Sequence, residues 1–287
     1  MNAVATPERA GKQVAGPTAL GDDPRRFWRL VWTLAITDFK LRFFGSVLGY
    51  LWQLMRPLML FGIVYVVFAE ILKVGGDQPY FGVALLLGIV VFQFFTDATG
   101  AAVRSIVVRE SLVRKVDFPR AAVPASCVLQ AVFNFGLNML PVLVFLFAAG
   151  GSVMWSWYEL PLIFAMLAVF ISGLSLLLSA LFVRYRDIEP IWDVILQALF
   201  YGTPILYSLS VVIDEVGLGV ARIMLVNPLA AGIQQARHSV IDPSYESPSQ
   251  IFGAAYWDLL PIGISVLTFV AGVLYFRRAA PKIAELL

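Results

Sequence analysis

The stretch LPLIFAMLAVFISGLSLLLSALFV, Leu160–Val183, runs for 24 residues without a charged side chain. As an α-helix rising 1.5 Å per residue it is about 36 Å long, more than the roughly 30 Å of a bilayer's hydrocarbon core. The solvent such a segment needs is lipid. The rest of the chain agrees: 60% of its 287 residues are hydrophobic, 14% are charged, and the mean hydropathy is +0.82. A water-soluble fold of this length has too little interior to hide that much apolar surface.

Five further apolar runs lie on either side of it, at about Leu48–Ile71, Tyr80–Val103, Val123–Ala149, Ile188–Ile213 and Leu259–Phe276. The pattern predicts an all-α integral membrane fold with six transmembrane helices. Another apolar stretch, Ile223–Ile233, is too short to span and contains Asn227-Pro228, so it reads as a re-entrant or interfacial hairpin. Pro204 lies inside the fifth run. Its missing N–H predicts a kink or break between Tyr201 and Tyr207, and with the short segment behind it this region reads as lining an opening.

Basic residues set the orientation, because Lys and Arg are retained on the cytoplasmic side. Leaving aside Arg9 and Lys12, sixteen of them flank the runs on one side, and only Lys73, Arg222 and Arg237 on the other. Both termini are therefore expected in the cytoplasm of a bacterial cell, with the chain in the inner membrane. Trp52, Trp155, Trp157, Trp192 and Trp257 fall near the ends of the runs, at the headgroup level that indole rings prefer. Residues 1–23, rich in Ala, Gly, Pro and Thr, lack the apolar core of a signal peptide and read as a disordered cytoplasmic tail. Residues 45–287 form the six-helix transmembrane domain.

Between them, residues 24–44 read as an amphipathic helix lying on the membrane. Arg26, Arg29, Thr33, Thr37 and Lys40 share one stripe, and Trp28, Val31, Trp32, Ala35, Ile36, Phe39 and Phe43 the other. Such a helix is either a lipid anchor or a docking element for a cytoplasmic partner, and its sequence fits both.

The centres of the runs hold no ionisable group of the kind an ion channel or proton-coupled carrier keeps there. Glu70, Asp97 and Asp193 all lie toward the ends and read as interface residues. At mid-depth are neutral polar and aromatic groups: Gln93, Asn134, Asn138, Gln197, Tyr201, Thr203 and Tyr207. They suit a channel lining that stacks on and hydrogen-bonds to neutral sugars, and equally well the polar glue between membrane helices. The single Cys127 and single His238 leave no thiolate or imidazole metal site and no disulfide framework. There is no Gly-x4-Gly-Lys-Ser/Thr loop for ATP and no Asp-x-Asp for a nucleotide-sugar metal, which argues against an enzyme.

The residues that lipid solvation leaves unexplained resemble one family. Ser46-x-Leu48-Gly49-x-Leu51-Trp52 followed by Pro57, the run Leu112–Arg120 (LVRKVDFPR), Arg184-Tyr185-Arg186-Asp187-Ile188, Thr203-Pro204-Ile205-x-Tyr207 and Asn227-Pro228-Leu229 occur in order. Their combination is similar to the membrane subunits of ABC exporters for polysaccharides and polyol phosphates, the O-antigen, teichoic-acid and galactan permeases. The resemblance implies a homodimer with two separate ATPase subunits that bind ATP and Mg, no cofactor on this chain, and a polyprenyl-linked polysaccharide as cargo. It also implies short re-entrant helices before the last span and a coupling helix within Arg104–Arg120. Arg109, Glu110, Leu112, Val113, Lys115, Phe118 and Arg120 are the candidate contacts to the ATPase; the bland alternative is a basic loop that only fixes topology. Arg42, Phe43 and Arg56 are placed where a lipid pyrophosphate would enter. An ABC permease for a drug or lipid, and a polyprenyl-linked glycosyltransferase, are the rival readings.

Overall fold

The computed structural model describes residues 23–43, 49–73, 78–115, 119–253 and 259–286. The segment 1–22, where the tail was expected, lies outside the described residues, as do 44–48, 74–77, 116–118, 254–258 and 287. The described chain is helical: α1 (Pro24–Phe43), α2 (Gly49–Tyr65, continuing as a π-helix over Val66–Ile71), α3 (Phe81–Val108), α4 (Glu110–Lys115), α5 (Ala122–Ala148) and α6 (Leu160–Arg184). After these come α7 (Ile188–Gly202), α8 (Leu209–Glu215), α9 (Leu218–Val226), α10 (Pro228–Val240), α11 (Pro248–Phe252) and α12 (Leu259–Leu286).

Five helical segments among the described residues are long and apolar enough to cross a membrane: Leu51–Ile71, Phe81–Val108, Ala122–Ala148, Trp155–Arg184 and Leu259–Pro281. They coincide with five of the six runs. The fifth run departs from a single helix. Its helix α7 ends at Gly202, 15 residues or about 22 Å long, and Thr203 turns extended (φ −100°, ψ 141°), as a residue before proline must to clear the ring. Helix resumes only at Leu209.

The centre of the bundle is α3. Leu85, Leu86, Val91 and Ala98 are fully buried on it, and its rings interlock with neighbours, Phe95 stacked on Phe170 of α6 at 6.1 Å and Phe94 against Phe135 of α5 at 5.1 Å. Helices α6 and α12 meet through glycine: a Cβ on Gly173 would sit 2.5 Å from Phe269 Cα, and one on Gly272 would sit 2.1 Å from the Gly173 carbonyl oxygen. Small residues allow this backbone approach, which is how helices gain packing energy where lipid offers no hydrophobic drive. By contrast Trp52, Met59 and Ile63 of α2 and Leu267, Val270 and Leu274 of α12 point outward, an apolar exterior that water would not tolerate.

The short stretch around Asn227-Pro228 resolves into two helices. Asn227 Oδ1 accepts from Leu229 N–H at 3.0 Å and caps α10, with Pro228 in the first-turn position where its missing N–H costs nothing. Helix α10 lies beside the start of α3 and about 10 Å down α6, where Gly232 faces Leu167.

Candidate functional site

Helices α2, α3 and α7 enclose a groove of about 420 Å³ on the outside of the bundle. Its polar lining consists of Arg56 from α2, Gln93, Thr96 and Asp97 from α3, and Asp193, Gln197 and Tyr201 from α7. The helical spacing of four residues brings Gln93 onto Asp97, whose Oδ1 accepts from Gln93 Nε2 at 2.6 Å. The cations whose field reaches Asp97 are Arg42 and Arg56. Behind the groove the α7 wall is fixed to α3 by Trp192, whose indole N–H donates to Thr99 Oγ1 at 3.1 Å. The site therefore presents one guanidinium, two carboxylates, two amides, a phenol and the Thr96 hydroxyl among otherwise apolar side chains.

Of the residues proposed from sequence, Arg56, Gln93 and Tyr201 line this groove together. Asp97 and Asp193, read as interface residues, line it too. Tyr207 is half-buried and donates its hydroxyl to the Tyr201 carbonyl at 3.0 Å, closing the broken segment on itself. Asn134 and Asn138 need correction as lining residues: both are 2% exposed and lie inside the bundle. Four-residue spacing along α5 fixes only that the two share a face. That face turns inward. Arg42 is exposed at the end of α1, and Phe43 closes that helix with a side chain outside the described residues.

At the end of the bundle that carries α1, this helix is docked on protein along one flank. Val31 and Ala35 are fully buried, and Trp32 and Phe39 meet Phe133 of α5 edge-on at 5.6 and 5.7 Å. Arg25, Arg26, Arg29 and Lys40 face out, as do Trp28 and most of Trp32. A helix floating wholly in the interface would leave Val31 and Ala35 to lipid; packing against α5 overrides that part of the reading.

Arg109, between α3 and α4, pairs with Asp38 of α1 and donates to Ser126 Oγ of α5 at 3.4 Å. Arg120 corrects the expectation of a surface contact: it is 5% exposed and donates to the carbonyl of Ala280 on α12. Leu112 is half-buried on the cluster formed by Ile106, Ala121, Phe276 and Ala280, and Glu110 is half-buried in the first turn of α4. The side chains of Val113 and Lys115, and all of Phe118, lie outside the described residues.

Arg237 on α10 is the residue the sequence reading undervalued. It is 2% exposed, and its three arms donate to backbone carbonyls: Nε to Ala84 at 3.2 Å, Nη1 to Pro204 at 2.6 Å and Nη2 to Ile205 at 2.8 Å. Two of these acceptors are carbonyls released by the break at Pro204. Gly88 leaves the room, since a Cβ there would be 3.1 Å from Nη2. The available signal was the coincidence of a proline break in an apolar run with one of three basic residues on that side. Nearby, burial pushes the Tyr245 phenol up to about 12, so it stays protonated and donates to the Pro79 carbonyl at 2.9 Å.

With this geometry in place, comparison with known proteins gives one consistent match. Residues 29–241 match the ABC-2 type transporter family. A Klebsiella pneumoniae protein named O-antigen export system permease protein RfbA is 29% identical over 253 residues, spanning 87% of this chain and 92% of its own length. A Myxococcus xanthus protein of the same name is 29% identical over 186 residues, 65% of this chain and 71% of that one. The polysialic acid transport protein KpsM of Escherichia coli is 22% identical over 250 residues, 85% of this chain and 92% of its own.

Proposed function

Because the chain belongs to the ABC-2 type transporter family, we propose that it is the membrane subunit of an ATP-driven exporter carrying a lipid-linked polysaccharide across the bacterial inner membrane. The names of its relatives, which concern O-antigen and polysialic acid, support a glycan cargo of that kind. Two copies work with two ATP-binding subunits, which hold ATP and Mg. Both termini are cytoplasmic, the side on which the basic flanking residues gather. The broken segment α7–α8 makes the fifth crossing in chain order, and α9 to α11 are the re-entrant helices before the last one.

One observation carries this reading. The groove of α2, α3 and α7 exposes Arg56, Asp193, Gln197 and Tyr201 on helices whose other outward side chains are apolar. A charged group left against hydrocarbon costs about 2.5 kcal/mol or more. A second copy facing this groove, enclosing a hydrated polar path, removes that cost. The amides and Tyr201 then meet sugar hydroxyls and ring faces, while Arg42 and Arg56 meet the lipid pyrophosphate at the inner leaflet. The α1 surface and α4 receive the push of the ATPase, and the Asp38–Arg109 pair makes them move as one body.

The test is co-purification with the candidate ATPase, followed by ATP turnover in proteoliposomes supplied with lipid-linked glycans of different sugars. At least one glycan should stimulate turnover, and Arg42→Glu with Arg56→Glu should weaken that stimulation. Stimulation by a drug or a phospholipid and by no glycan would reject the cargo assigned here.

A further inference from the structure

A second, larger cavity of about 920 Å³ lies at the opposite end of the bundle from α1, between the π-helical end of α2, the chain entering α3 and the end of α5. Phe61, Tyr65, Glu70, Lys73, Gln78 and Tyr80 line it. Three features of the backbone and side chains set it apart from a packing gap. The first is the π-helix Val66–Ile71 itself, which holds Glu70 and replaces the last turns of α2; such wide turns persist mostly at functional sites. The second is left-handed backbone at two residues that are not glycine, Lys73 (φ 52°) and Tyr80 (φ 54°). Each costs energy that the surrounding structure has to supply. The third is an unused acceptor: Gln78 Nε2 donates to Ser210 Oγ at 3.3 Å, while its Oε1 is buried with no hydrogen-bond partner among the described residues.

The walls are formed in advance. The Tyr65 ring lies over Gly82, where a Cβ would come within 2.8 Å of it, and the turn carrying Tyr80 is held by Tyr245 donating to the Pro79 carbonyl. Aromatic faces from Phe61, Tyr65 and Tyr80, set beside a carboxylate, an ammonium and an amide, are the groups that recognise a sugar. Its C–H face stacks on rings while its hydroxyls bridge charged and amide partners. An acyl chain would need none of the polar three and would leave Gln78 Oε1 unpaired. The volume is at the upper end of what ligand sites enclose.

The geometry points to a saccharide-binding subsite in each protomer at the end opposite α1, taking a short stretch of glycan. It deepens the glycan reading and rests on it: the sugar units engaged here have already left the α2–α3–α7 groove. Glu70 and Lys73 bind hydroxyl pairs and Tyr65 and Tyr80 stack on rings.

The full chain in lipid nanodiscs, free of sugar-headed detergent, should show saturation-transfer NMR contacts to at least one of a panel of di- and trisaccharides (galactobiose, mannobiose, rhamnose and N-acetylglucosamine oligomers). Glu70→Gln, nearly isosteric on an exposed residue, should weaken that binding about ten-fold, the order expected for a lost charged hydrogen bond. Lys73→Gly relaxes the backbone and removes the ammonium, so it should keep the melting temperature and still lose affinity. Absence of saccharide contacts in a preparation whose ATP turnover responds to lipid-linked glycan would overturn the subsite and leave the export reading standing. Saccharide contacts abolished by Glu70→Gln in a preparation that glycans fail to stimulate would uphold the subsite and sink the export reading. A phospholipid retained in native mass spectra and displaced by Phe61→Trp, with no saccharide contact, would assign the cavity to lipid and overturn the proposal.

Discussion

Replacing Arg237 by Met keeps an unbranched apolar stem, shorter than that of arginine, and removes every donor. Three carbonyls then lose a partner, but not equally. Ala84 sits in α3, where the helical ladder offers its oxygen another N–H. Pro204 and Ile205 sit in the break after α7, surrounded by buried Leu206, Leu209 and Ile233, and have no such outlet. A buried carbonyl left unpaired costs about 1–3 kcal/mol, so two cost about 2–6 kcal/mol. Part of this is returned because the wild-type protein no longer has to bury a guanidinium, a penalty of several kcal/mol before its hydrogen bonds are counted. A net destabilisation of about 3 kcal/mol is expected, a drop of roughly 6–12 °C in melting temperature by the scaling for domains of comparable size. Arg237→Lys should fall between, because one ammonium cannot reach carbonyls on both sides of the break. Gly88→Ala should move the same way by less, its Cβ pressing on Nη2 at 3.1 Å and on Ile205 Cγ2 at 3.3 Å. Thermal melts of the purified protein in nanodiscs, followed by fluorescence-detected size exclusion, give the numbers. A melting temperature for Arg237→Met within 2 °C or so of wild type would refute the reasoning, since it would mean the freed carbonyls are served from elsewhere.

Gly272→Ala places a methyl 2.1 Å from the Gly173 carbonyl, backbone against backbone; α6 and α12 must separate, and monodisperse protein should fall sharply on size exclusion, whereas Gly263→Ala, which meets nothing within 4 Å, should be silent. Reversing the ion pair tests α1: Asp38→Arg or Arg109→Asp alone should reduce export while ATP turnover persists, and the double reversal should recover a good part of it. Titration isolates Tyr245. Its phenol ionises near 12 when folded and near 10 when free, so the folded state holds the proton longer. The stability it contributes is complete below pH 10 and lost as pH rises toward 12, and Tyr245→Phe should flatten that stretch of the melting curve against pH.

What was legible in the sequence was where the long helices begin. Apolar runs place the start of each of the five to within a few residues because a bilayer demands a minimum length of uninterrupted apolar chain, whereas α12 continues ten residues past Phe276. Pro204 announced the end of α7 because its chemistry forbids a continuous ladder. Facing was illegible, for a definite reason. A span that is apolar on all sides has no polar stripe to say which face is core, so nothing near Asn134 and Asn138 told that both would be buried inside the bundle. The count of basic residues says nothing of where each guanidinium points: Arg120 and its acceptor Ala280 are separated by most of the chain, as are Arg237 and Ala84. The periodicity of α1 was correct as a pattern, yet nothing local told that α5 rather than lipid would cover Val31 and Ala35.

These long-range contacts decide which wall of the groove is fixed. Helix α3 runs the length of the bundle with 72% of its apolar core buried inside the protein. Arg109 at one end ties it to α1, Thr99 in the middle holds Trp192 of α7, and Ala84 at the far end shares Arg237 with the segment just beyond α7. With the ion pair of Arg104 and Glu189 at 3.1 Å, the α3 wall and the α7 segment are therefore bonded at three levels spread over about 30 Å of α3. Helix α2 is different: 11% of its apolar core is buried, and it meets α3 through side-chain packing such as Tyr65 on Gly82. A displacement delivered through α1 and Arg109 thus carries α3 and α7 together, and the seam that yields is the one along α2. Arg56 stands on the α2 wall, while Asp97 and Asp193 stand on the two walls that are bonded to each other. A shift of α2 relative to that pair changes the distance between the Arg56 guanidinium and the two carboxylates, and with it the field inside the groove.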